Sequence, residues 1–372
     1  MKPTLQVQRY VKTKVGGYVD KTNSKPAGQP YDRGESGELA PEVKAALAKI
    51  DMLKVILEYP DSSYSKLVSA ICKKYELKRE NVTVGTGANE ILDRIARTYL
   101  DSADKCVLIH PTFFRIEDAS VRCTSNIIDV YLKEKNDYRV TEVELNEVKN
   151  LKDVKLIWVC TPNNPTGTIV PRDYIKQMAE AHPNSLICVD EAYGEYAEIQ
   201  SATELLKDHD NIIVVKSLSK CLGLAGLVVG YALGNEKLIA PLQAMRLEYP
   251  INGIAAELAH IALSSEEHIK KLAENIAKER VWLEAVLSEL DGVTYIPSNT
   301  NLLLVKHARI DLYIALFNKG ILVANMNNLK GAEGQKYVRI TISGQHEKNE
   351  VLLNAIKELL GSGTLVAENN LK

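Results

Sequence analysis

A lysine between a hydroxyl-rich and a glycine-rich stretch is the residue of this sequence best suited to chemistry. Lys220 follows an apolar run, Ile212–Val215, and precedes Cys221–Gly226, so a buried strand is predicted to end in a tight turn that holds it. Partial removal from water lowers the pKa of a lysine amine and makes it a nucleophile that forms Schiff bases with carbonyl compounds. Ser217 and Ser219 on the same turn can donate hydrogen bonds to a phosphate. Taken alone, the pattern is also typical of a solvated surface lysine.

Three further groups stand at the carboxyl ends of predicted strands, where ligands bind in open α/β sheets. Gly85–Glu90 opens a helix, and its glycines let backbone N–H groups approach an anion, although such a turn can need glycine for conformation alone. Thr161–Gly167 has two prolines that fix a turn and present an Asn side chain able to bond a phenolate oxygen. Asp190 ends a strand and can keep a pyridine nitrogen protonated, although an Asp there is most often a helix cap.

These groups need a sheet that brings strand ends to one edge, and the sequence predicts one. Most of the predicted strands are continuous β-branched runs, as a sheet covered on both faces requires. They are Val82–Val84, Cys106–Ile109, Ile127–Leu132, Leu156–Cys160, Leu186–Val189, Ile212–Val215 and Val228–Leu233. Strands alternating with helices in this way predict a three-layer α/β/α large domain with a mainly parallel, seven-stranded sheet.

The pattern changes after Pro250. A long amphipathic helix is predicted over 255–290 with a break near Ser264-Ser265, and two more helices at about 309–318 and 346–361. Short strands are predicted at Val293–Ile296, Leu302–Val305, Ile321–Val323 and Tyr337–Ile342. We therefore predict an N-terminal arm and first helix over 1–57, a large cofactor-binding domain over 58–250 and a smaller α+β C-terminal domain over 251–372.

Composition argues against several classes of partner. Of 372 residues, 25% are charged and 45% hydrophobic, and the net charge is -2, so neither nucleic acid nor an anionic membrane is indicated. No apolar run approaches the ~20 residues of a membrane span, and the N-terminus does not resemble a signal peptide. The 6 cysteines form no C-x-x-C pair, and no His stands at metal-ligand spacing. A reduced, cytoplasmic and metal-free protein is the prediction.

Together, the motifs resemble those of one family. Asn163–Gly167, Asp190–Tyr193 and Ser217–Lys220 follow the order and spacing of the fold-type I pyridoxal-phosphate-dependent aminotransferases of class I/II. The likeness is greatest to the histidinol-phosphate aminotransferase branch and extends from about Pro41 to Leu360. This resemblance implies pyridoxal 5'-phosphate as the cofactor, small-molecule substrates and a homodimer as the active unit.

The resemblance also implies a role for each matching residue. Lys220 would form the Schiff base and move the substrate proton, Asp190 would pair with the pyridine nitrogen, and Arg339 would bind the substrate carboxylate. Asn164 and Tyr193 would bond the phenolate oxygen of the cofactor. The remaining implied contacts are ring stacking by Phe113, phosphate binding by Gly87, Ala88, Asn89, Ser217 and Ser219, and contact of Tyr59 with the cofactor phosphate of the other subunit.

Two positions depart from the family pattern. Where relatives carry an arginine for the cofactor phosphate, this chain has Val228, and Arg246 or Lys216 are candidate replacements. Since a charge-assisted hydrogen bond is worth about 1.5–3 kcal/mol, weaker cofactor binding is predicted. Where relatives carry Asn-Glu-x-Pro beside the substrate, Glu35 or Glu38 is predicted to face a cationic side chain, with a solvated loop of mixed charge as the alternative.

Three functions follow from these residues. The leading prediction is an aminotransferase that moves an α-amino group between an amino acid, or an amino-acid-like amine, and a 2-oxo acid. The alternative is a pyridoxal-phosphate-dependent amino-acid oxidase or decarboxylase on the same fold, acting on a cationic amino acid such as arginine. A non-catalytic binding protein is the third, and the joint presence of Lys220, Asp190, Asn164, Tyr193 and Arg339 argues against it.

Overall fold

Helices and strands alternate through most of the computed structural model, which describes residues 7–8, 28–35, 38–197 and 200–361. The helices are α1 (Pro41–Leu47), α2 (Met52–Leu57), α3 (Ser65–Tyr75), α4 (Gly87–Tyr99), α5 (Phe114–Cys123), α6 (Glu142–Asn150), α7 (Arg172–Ala181), α8 (Glu236–Ala244), α9 (Gly253–Ser264), α10 (Glu266–Ser288), α11 (Leu312–Asn318) and α12 (His346–Gly361). The strands are β1 (Gln29–Pro30), β2 (Val82–Gly85), β3 (Lys105–His110), β4 (Asn126–Tyr131), β5 (Val154–Cys160), β6 (Leu186–Asp190), β7 (Ile212–Ser217), β8 (Gly230–Gly234), β9 (Val293–Ile296), β10 (Leu302–His307), β11 (Ile321–Leu322), β12 (Ala324–Asn325) and β13 (Val338–Thr341).

The central sheet has seven strands in the order β2-β8-β7-β6-β5-β3-β4. Neighbouring strands from β4 to β7 are parallel, whereas β8 runs antiparallel to both β2 and β7. Every residue of β6 and β7 is buried, as in a sheet with helices on both faces. The predicted α/β fold with a mainly parallel seven-stranded sheet is confirmed.

Each predicted strand of this sheet overlaps an observed one, and the bounds differ by at most two residues. At β8 the difference has a clear physical cause. The strand was predicted to begin at Val228, but it begins at Gly230. Val228 has a φ of 52°, in the left-handed region, and a residue in that conformation cannot continue a β-strand.

A second sheet of four antiparallel strands follows in the order β12-β13-β10-β9. Its apolar face packs with residues of α10, α11 and α12, and the shared core includes Leu283, Val305, Leu316, Ile340 and Leu352. The predicted break in the long helix is confirmed, because α9 ends at Ser264 and α10 begins at Glu266. The domain bounds at 57/58 and 250/251 stay predictions, and residues 1–6, 9–27 and 362–372 lie outside the described part of the chain.

Helix α2 was not predicted from the sequence. It has six residues, and Asp51 caps it by accepting a hydrogen bond from the Lys54 amide at 3.1 Å. Its apolar residues Leu53, Ile56 and Leu57 are exposed rather than turned inward, so they give no helical periodicity of buried positions.

The sheet register brings the predicted chemical residues to one edge. Cys160 pairs with Asp190, and Asp190 pairs with Val215, so β5, β6 and β7 end side by side. The segments that follow these strands carry Asn164, Tyr193 and Lys220. Across residues 7–8, 28–35, 38–197 and 200–361, the helices are too short or too polar to span a bilayer.

Candidate active site

Asp190 is the most deeply buried charged group among the predicted site residues. It ends β6 in the middle of the sheet, and the Ala192 amide donates to its Oδ1 at 3.0 Å. Burial raises the pKa of this carboxyl to about 6; the Ala192 hydrogen bond opposes the rise, and the nearby Glu191 adds to it. A positively charged hydrogen-bond donor placed here would remove most of this cost.

The thiol of Cys160 lies where three strand-end segments meet. Burial raises the pKa of Cys160 well above its usual value, and the neighbouring Asp190 raises it further. The backbone N–H groups of Asn164 and Phe113 and the Thr112 hydroxyl interact with the thiol and lower its pKa. Phe113 and Asn164 are therefore within reach of the same buried atom as Asp190.

Lys220 lies half-buried above an aromatic ring. Its Nζ is 5.4 Å from the centre of the Tyr193 ring and donates to the carbonyl of Arg33 at 3.1 Å. Tyr193 is buried, and its hydroxyl faces Gly34 closely, since a Cβ added to Gly34 would lie 2.8 Å from that oxygen. Gly34 also has a φ of +68°, which a side chain rarely adopts.

Arg339 is a buried cation on β13 that reaches back to the central sheet. Its Nη1 donates to Asn164 Oδ1 at 2.8 Å, and its Nη2 donates to the Asp32 carbonyl. Since residues 32 and 33 are consecutive, Arg339 and Lys220 bond neighbouring peptide groups and lie close together. The backbone of Asp32 and Arg33 thus lies beside Arg339 and Lys220. The sequence placed the stretch 32–38 beside the substrate but singled out Glu35 and Glu38 in it, and it did not predict these two carbonyl contacts.

The start of α4 forms a cradle of closely packed backbone. A Cβ on Gly230 would lie 2.5 Å from the Ala88 nitrogen, and one on Gly87 would lie 2.8 Å from a Val228 methyl. Gly87 has a φ of +72°, so both crowding and conformation require glycine there. The first N–H groups of a helix are without intrahelical partners and favour an anion, and Asn89 is exposed on this first turn.

The two predicted serines lie beside the same cradle. Ser217 pairs with Gly230 across the antiparallel ladder of β7 and β8. The Ser219 amide donates to Ser217 Oγ at 3.2 Å, which orients that hydroxyl. Together with Gly87 and Ala88, these hydroxyls form a donor set suited to a phosphate.

Lys216 and Arg246, the candidate replacements for the family arginine, both contact other groups of the protein. Lys216 is buried, with its Nζ 2.8 Å from Glu191 and 3.5 Å from Glu195. These carboxylates hold the pKa of Lys216 well above its usual value despite burial, so it stays paired. The Arg246 guanidinium packs over the Tyr64 ring and donates to the Ser62 carbonyl at 2.9 Å.

The remaining predicted residues are Tyr59 and the acidic residues Glu35 and Glu38. Tyr59 is 83% exposed and stacks on Tyr249 at 4.7 Å rather than on any predicted site residue. Glu35 is exposed, and a Glu38 oxygen lies 2.9 Å from where a Cβ of Gly344 would be. The role assigned to Glu35 stays a prediction.

The site fits pyridoxal phosphate. A buried carboxylate whose pKa is raised suits a pyridinium N–H, Lys220 supplies an amine, and the glycine-lined start of α4 suits the phosphate. Fold and site together define a fold-type I pyridoxal-phosphate enzyme.

Known proteins agree with this class. A sequence model of the family described as aminotransferase class I and II matches residues 27–356. Histidinol-phosphate aminotransferase from Thermoanaerobacter pseudethanolicus is 32% identical over 357 residues, 95% of this chain and 99% of that protein. The chain belongs to the aminotransferase class I and II family, whose members depend on pyridoxal phosphate and act on small molecules.

Solved structures share the fold. Histidinol-phosphate aminotransferase from Sinorhizobium meliloti, in complex with pyridoxal-5'-phosphate, has a TM-score of 0.79 at 22% identity, covering 91% of this chain and 93% of that one. A decarboxylase from Sulfurospirillum multivorans has a TM-score of 0.76 at 24% identity, covering 91% and 90%. The fold alone therefore does not separate amino transfer from decarboxylation.

The buried carboxylate predicts a pH-dependent penalty in the cofactor-free protein. We expect Asp190→Asn to raise the free energy of unfolding by about 2–3 kcal/mol at pH 8, because it removes a carboxylate whose pKa rises from 3.8 to about 6 on folding. The folded state binds this proton more tightly, so the penalty is present above pH ~6 and absent below pH ~4. Urea unfolding of the wild type and of Asp190→Asn from pH 4 to pH 8 measures the difference in their free energies of unfolding. A difference that does not shrink toward pH 4 would contradict the raised pKa of Asp190.

The second prediction concerns Val228, which is 42% exposed beside Gly87. We expect Val228→Arg to lower the dissociation constant of pyridoxal phosphate by about tenfold to a hundredfold, since it adds a charged hydrogen bond to the phosphate. Absorbance titration of the cofactor-free protein measures it. Val228→Gln is the matched control, because it also removes the β-branched side chain from a left-handed conformation but adds no charge. Equal affinities in the Arg and Gln variants would show that charge is not what the site lacks.

Proposed function

We propose that this enzyme transfers the amino group of an α-amino acid to a 2-oxo acid and that Arg339 binds the α-carboxylate of both. The observation that carries the proposal is the buried Arg339–Asn164 hydrogen bond of 2.8 Å beside Lys220. A guanidinium binds a carboxylate through two parallel hydrogen bonds, so it fixes the orientation of the substrate as well as its position.

The roles of the other residues follow from their positions. When bound, pyridoxal phosphate supplies an electron sink that acidifies the Cα–H bond of an attached amine. Lys220 would hold the cofactor covalently through Nζ and, once released by the substrate, take the proton from Cα and return it to the C4' position. Asp190 would keep the ring nitrogen protonated, while Asn164 and Tyr193 would bond the phenolate oxygen. These assignments rest on the convergence of the groups at one sheet edge.

Cofactor orientation depends on the remaining predicted residues. Phe113 would stack on the ring, and its amide already faces the same buried thiol as Asn164. Gly87, Ala88 and Asn89, with Ser217 and Ser219, would bind the phosphate at the start of α4. Held at both ends, the ring would have little freedom to rotate during the reaction.

We further infer that the active unit is a homodimer. Tyr59 stacks on Tyr249, which joins two chain segments that carry exposed apolar side chains. We call this set the α2 surface, and it comprises Leu53, Ile56, Leu57, Tyr59, Met245, Leu247 and Tyr249. Exposed apolar patches of this kind mark protein–protein contacts. The surface adjoins the phosphate cradle, since Thr86, the residue before α4, donates to the carbonyl of Pro250. A second copy seated there would place its Tyr59 near this phosphate, as the family resemblance implies.

We infer that the protein is located in the cytoplasm, a reducing compartment. We also keep the proposed domain bounds at 57/58 and 250/251. Cys72, Cys106, Cys160, Cys188 and Cys221 form no disulfide in the described part of the chain, and all but Cys72 of these are buried. Disulfides persist mainly in oxidising compartments, so buried cysteines outside disulfides are typical of the cytosol.

The proposed reaction predicts a single conversion in the absence of an acceptor. Mixing the cofactor-loaded enzyme with a series of amino donors, arginine and histidinol phosphate included, should convert its absorbance once to the pyridoxamine band and then stop. A 2-oxo acid should restore the original band. Lys220→Ala should abolish the conversion, and Arg339→Lys should lower kcat/KM for amino acids by about a hundredfold, because lysine cannot make the bidentate contact.

Oxygen consumption and carbon dioxide release are measured in the same experiment. Repeated turnover without a 2-oxo acid, with oxygen consumed, would replace the proposed transfer by an oxidase reaction. Release of carbon dioxide in place of a 2-oxo acid product would replace it by a decarboxylation.

The homodimer is tested on the α2 surface. We expect the wild type to sediment as a dimer at micromolar concentration and Leu57→Glu, at a side chain 73% exposed in the single chain, to sediment as a monomer. A buried charge without a partner is costly, whereas Val143→Glu, at an exposed valine of α6, serves as the control and should stay dimeric. A wild type that sediments as a monomer would overturn the inference.

A further inference from the structure

Residues 32–34 form one wall of the active site, and they contact Arg339, Lys220 and Tyr193 in turn. Asp32 accepts a hydrogen bond from Arg339 through its carbonyl, and Arg33 accepts one from Lys220 at 3.1 Å. A side chain in this wall is therefore next to the groups proposed to bind the carboxylate and to move the proton.

The next residue of the wall is fixed from several sides. The Gly34 amide donates to Thr341 Oγ1 at 2.9 Å, and its carbonyl accepts from Asn301 Nδ2 at 3.3 Å. Its close approach to Tyr193 leaves no room for a side chain. The segment is thus held against the site by β13 and by the start of β10, so the position of Asp32 is well defined.

One oxygen of the Asp32 carboxylate, Oδ1, is buried. No donor from the described residues (7–8, 28–35, 38–197 and 200–361) reaches it. Its Oδ2 is 3.6 Å from Nε of Arg33, beyond hydrogen-bond distance. Nearly all buried polar atoms in proteins have a partner, and a buried carboxylate oxygen without one is costly. A donor supplied by a ligand would remove this cost.

Arg33 does not take the place of such a donor. It lies nearest the other oxygen, and its side chain is 38% exposed, so solvent screens the pair; Asp32 by contrast is only 14% exposed. The other acids of the loop are placed less favourably, because Glu35 is exposed and Glu38 lies against Gly344. Among these acids, Asp32 has a buried carboxylate oxygen, and its own carbonyl accepts a hydrogen bond from Arg339.

We propose that Asp32 determines substrate specificity by binding a positively charged, hydrogen-bond-donating group at the end of the substrate side chain. The preferred amino donors are then amino acids that end in a guanidinium, an ammonium or an imidazolium. The inference rests on the proposed transfer reaction for the position of the α-carboxylate at Arg339. Because the Asp32 carbonyl accepts a hydrogen bond from Arg339, a substrate whose carboxylate is held by Arg339 would lie next to this wall.

Donor preference in the cofactor-loaded enzyme is the first test. Arginine, lysine and norleucine are compared as donors by the rate of conversion to the pyridoxamine band. The wild type should prefer the two cationic donors, and Asp32→Asn should lower kcat/KM for them by about tenfold to a hundredfold while leaving norleucine unchanged. Glu42→Gln is the control, because it removes an exposed carboxylate from α1 and should change none of the rates.

Binding without reaction is the second test. The probe 5-guanidinopentanoate is arginine without its α-amino group, so it cannot react with the cofactor, and hexanoate is its neutral counterpart. Calorimetry on the cofactor-loaded enzyme should show tighter binding of the guanidino acid, and Asp32→Asn should abolish the difference. Asp32→Ser is a second variant for use if the first is poorly folded, as judged by circular dichroism.

The two hypotheses fail differently. Equal rates for arginine and norleucine, unchanged in Asp32→Asn, would overturn the role of Asp32 and leave the transfer reaction standing. If no amino acid converts the enzyme, the proposed reaction fails, and the calorimetric comparison still decides the role of Asp32. Equal binding of the two probes by wild type would then overturn it.

Discussion

A carboxylate buried in the middle of a parallel sheet is the constraint on which the active site depends. Asp190 is held away from water by β5 and β7, and burial raises its pKa to about 6. Such a group is unfavourable unless a positive partner is supplied. The cofactor ring is proposed as that partner, so binding of the cofactor relieves a cost that folding creates.

Closely packed backbone at the start of α4 shapes the site proposed for the cofactor phosphate. A Cβ on Gly230 would clash with the backbone of Gly87 and Ala88, so the start of α4 lies directly on the first residue of β8. A Cβ on Gly87 would clash with a methyl group of Val228. Since Val228 stands where the family resemblance leads us to expect an arginine, phosphate binding would depend more on backbone N–H groups and hydroxyls. The phosphate site also adjoins the exposed α2 surface, so dimerisation and cofactor retention are expected to be linked.

The substrate side of the site is assembled from distant parts of the chain. Arg339 on β13, the segment 32–34 and Asn164 after β5 meet through hydrogen bonds between residues separated by 175 to 307 positions. The cofactor side, by contrast, uses strand ends that are neighbours in one sheet. Specificity can therefore change through the 32–34 wall while Asp190 and Lys220 keep their positions, which is consistent with one fold serving both aminotransferases and decarboxylases.

The sequence by itself determined the sheet, the break between α9 and α10, and the cofactor. Runs of β-branched residues and strand-end motifs are local signals, and parallel strands bring such ends together whatever the loops do. Only the tertiary structure decided that Asp32 has a buried carboxylate oxygen without a donor among the described residues, that Val228 turns left-handed before β8, and that α2 exposes its apolar residues. Each of these depends on contacts between segments far apart in the chain, and no local pattern of residues encodes such contacts.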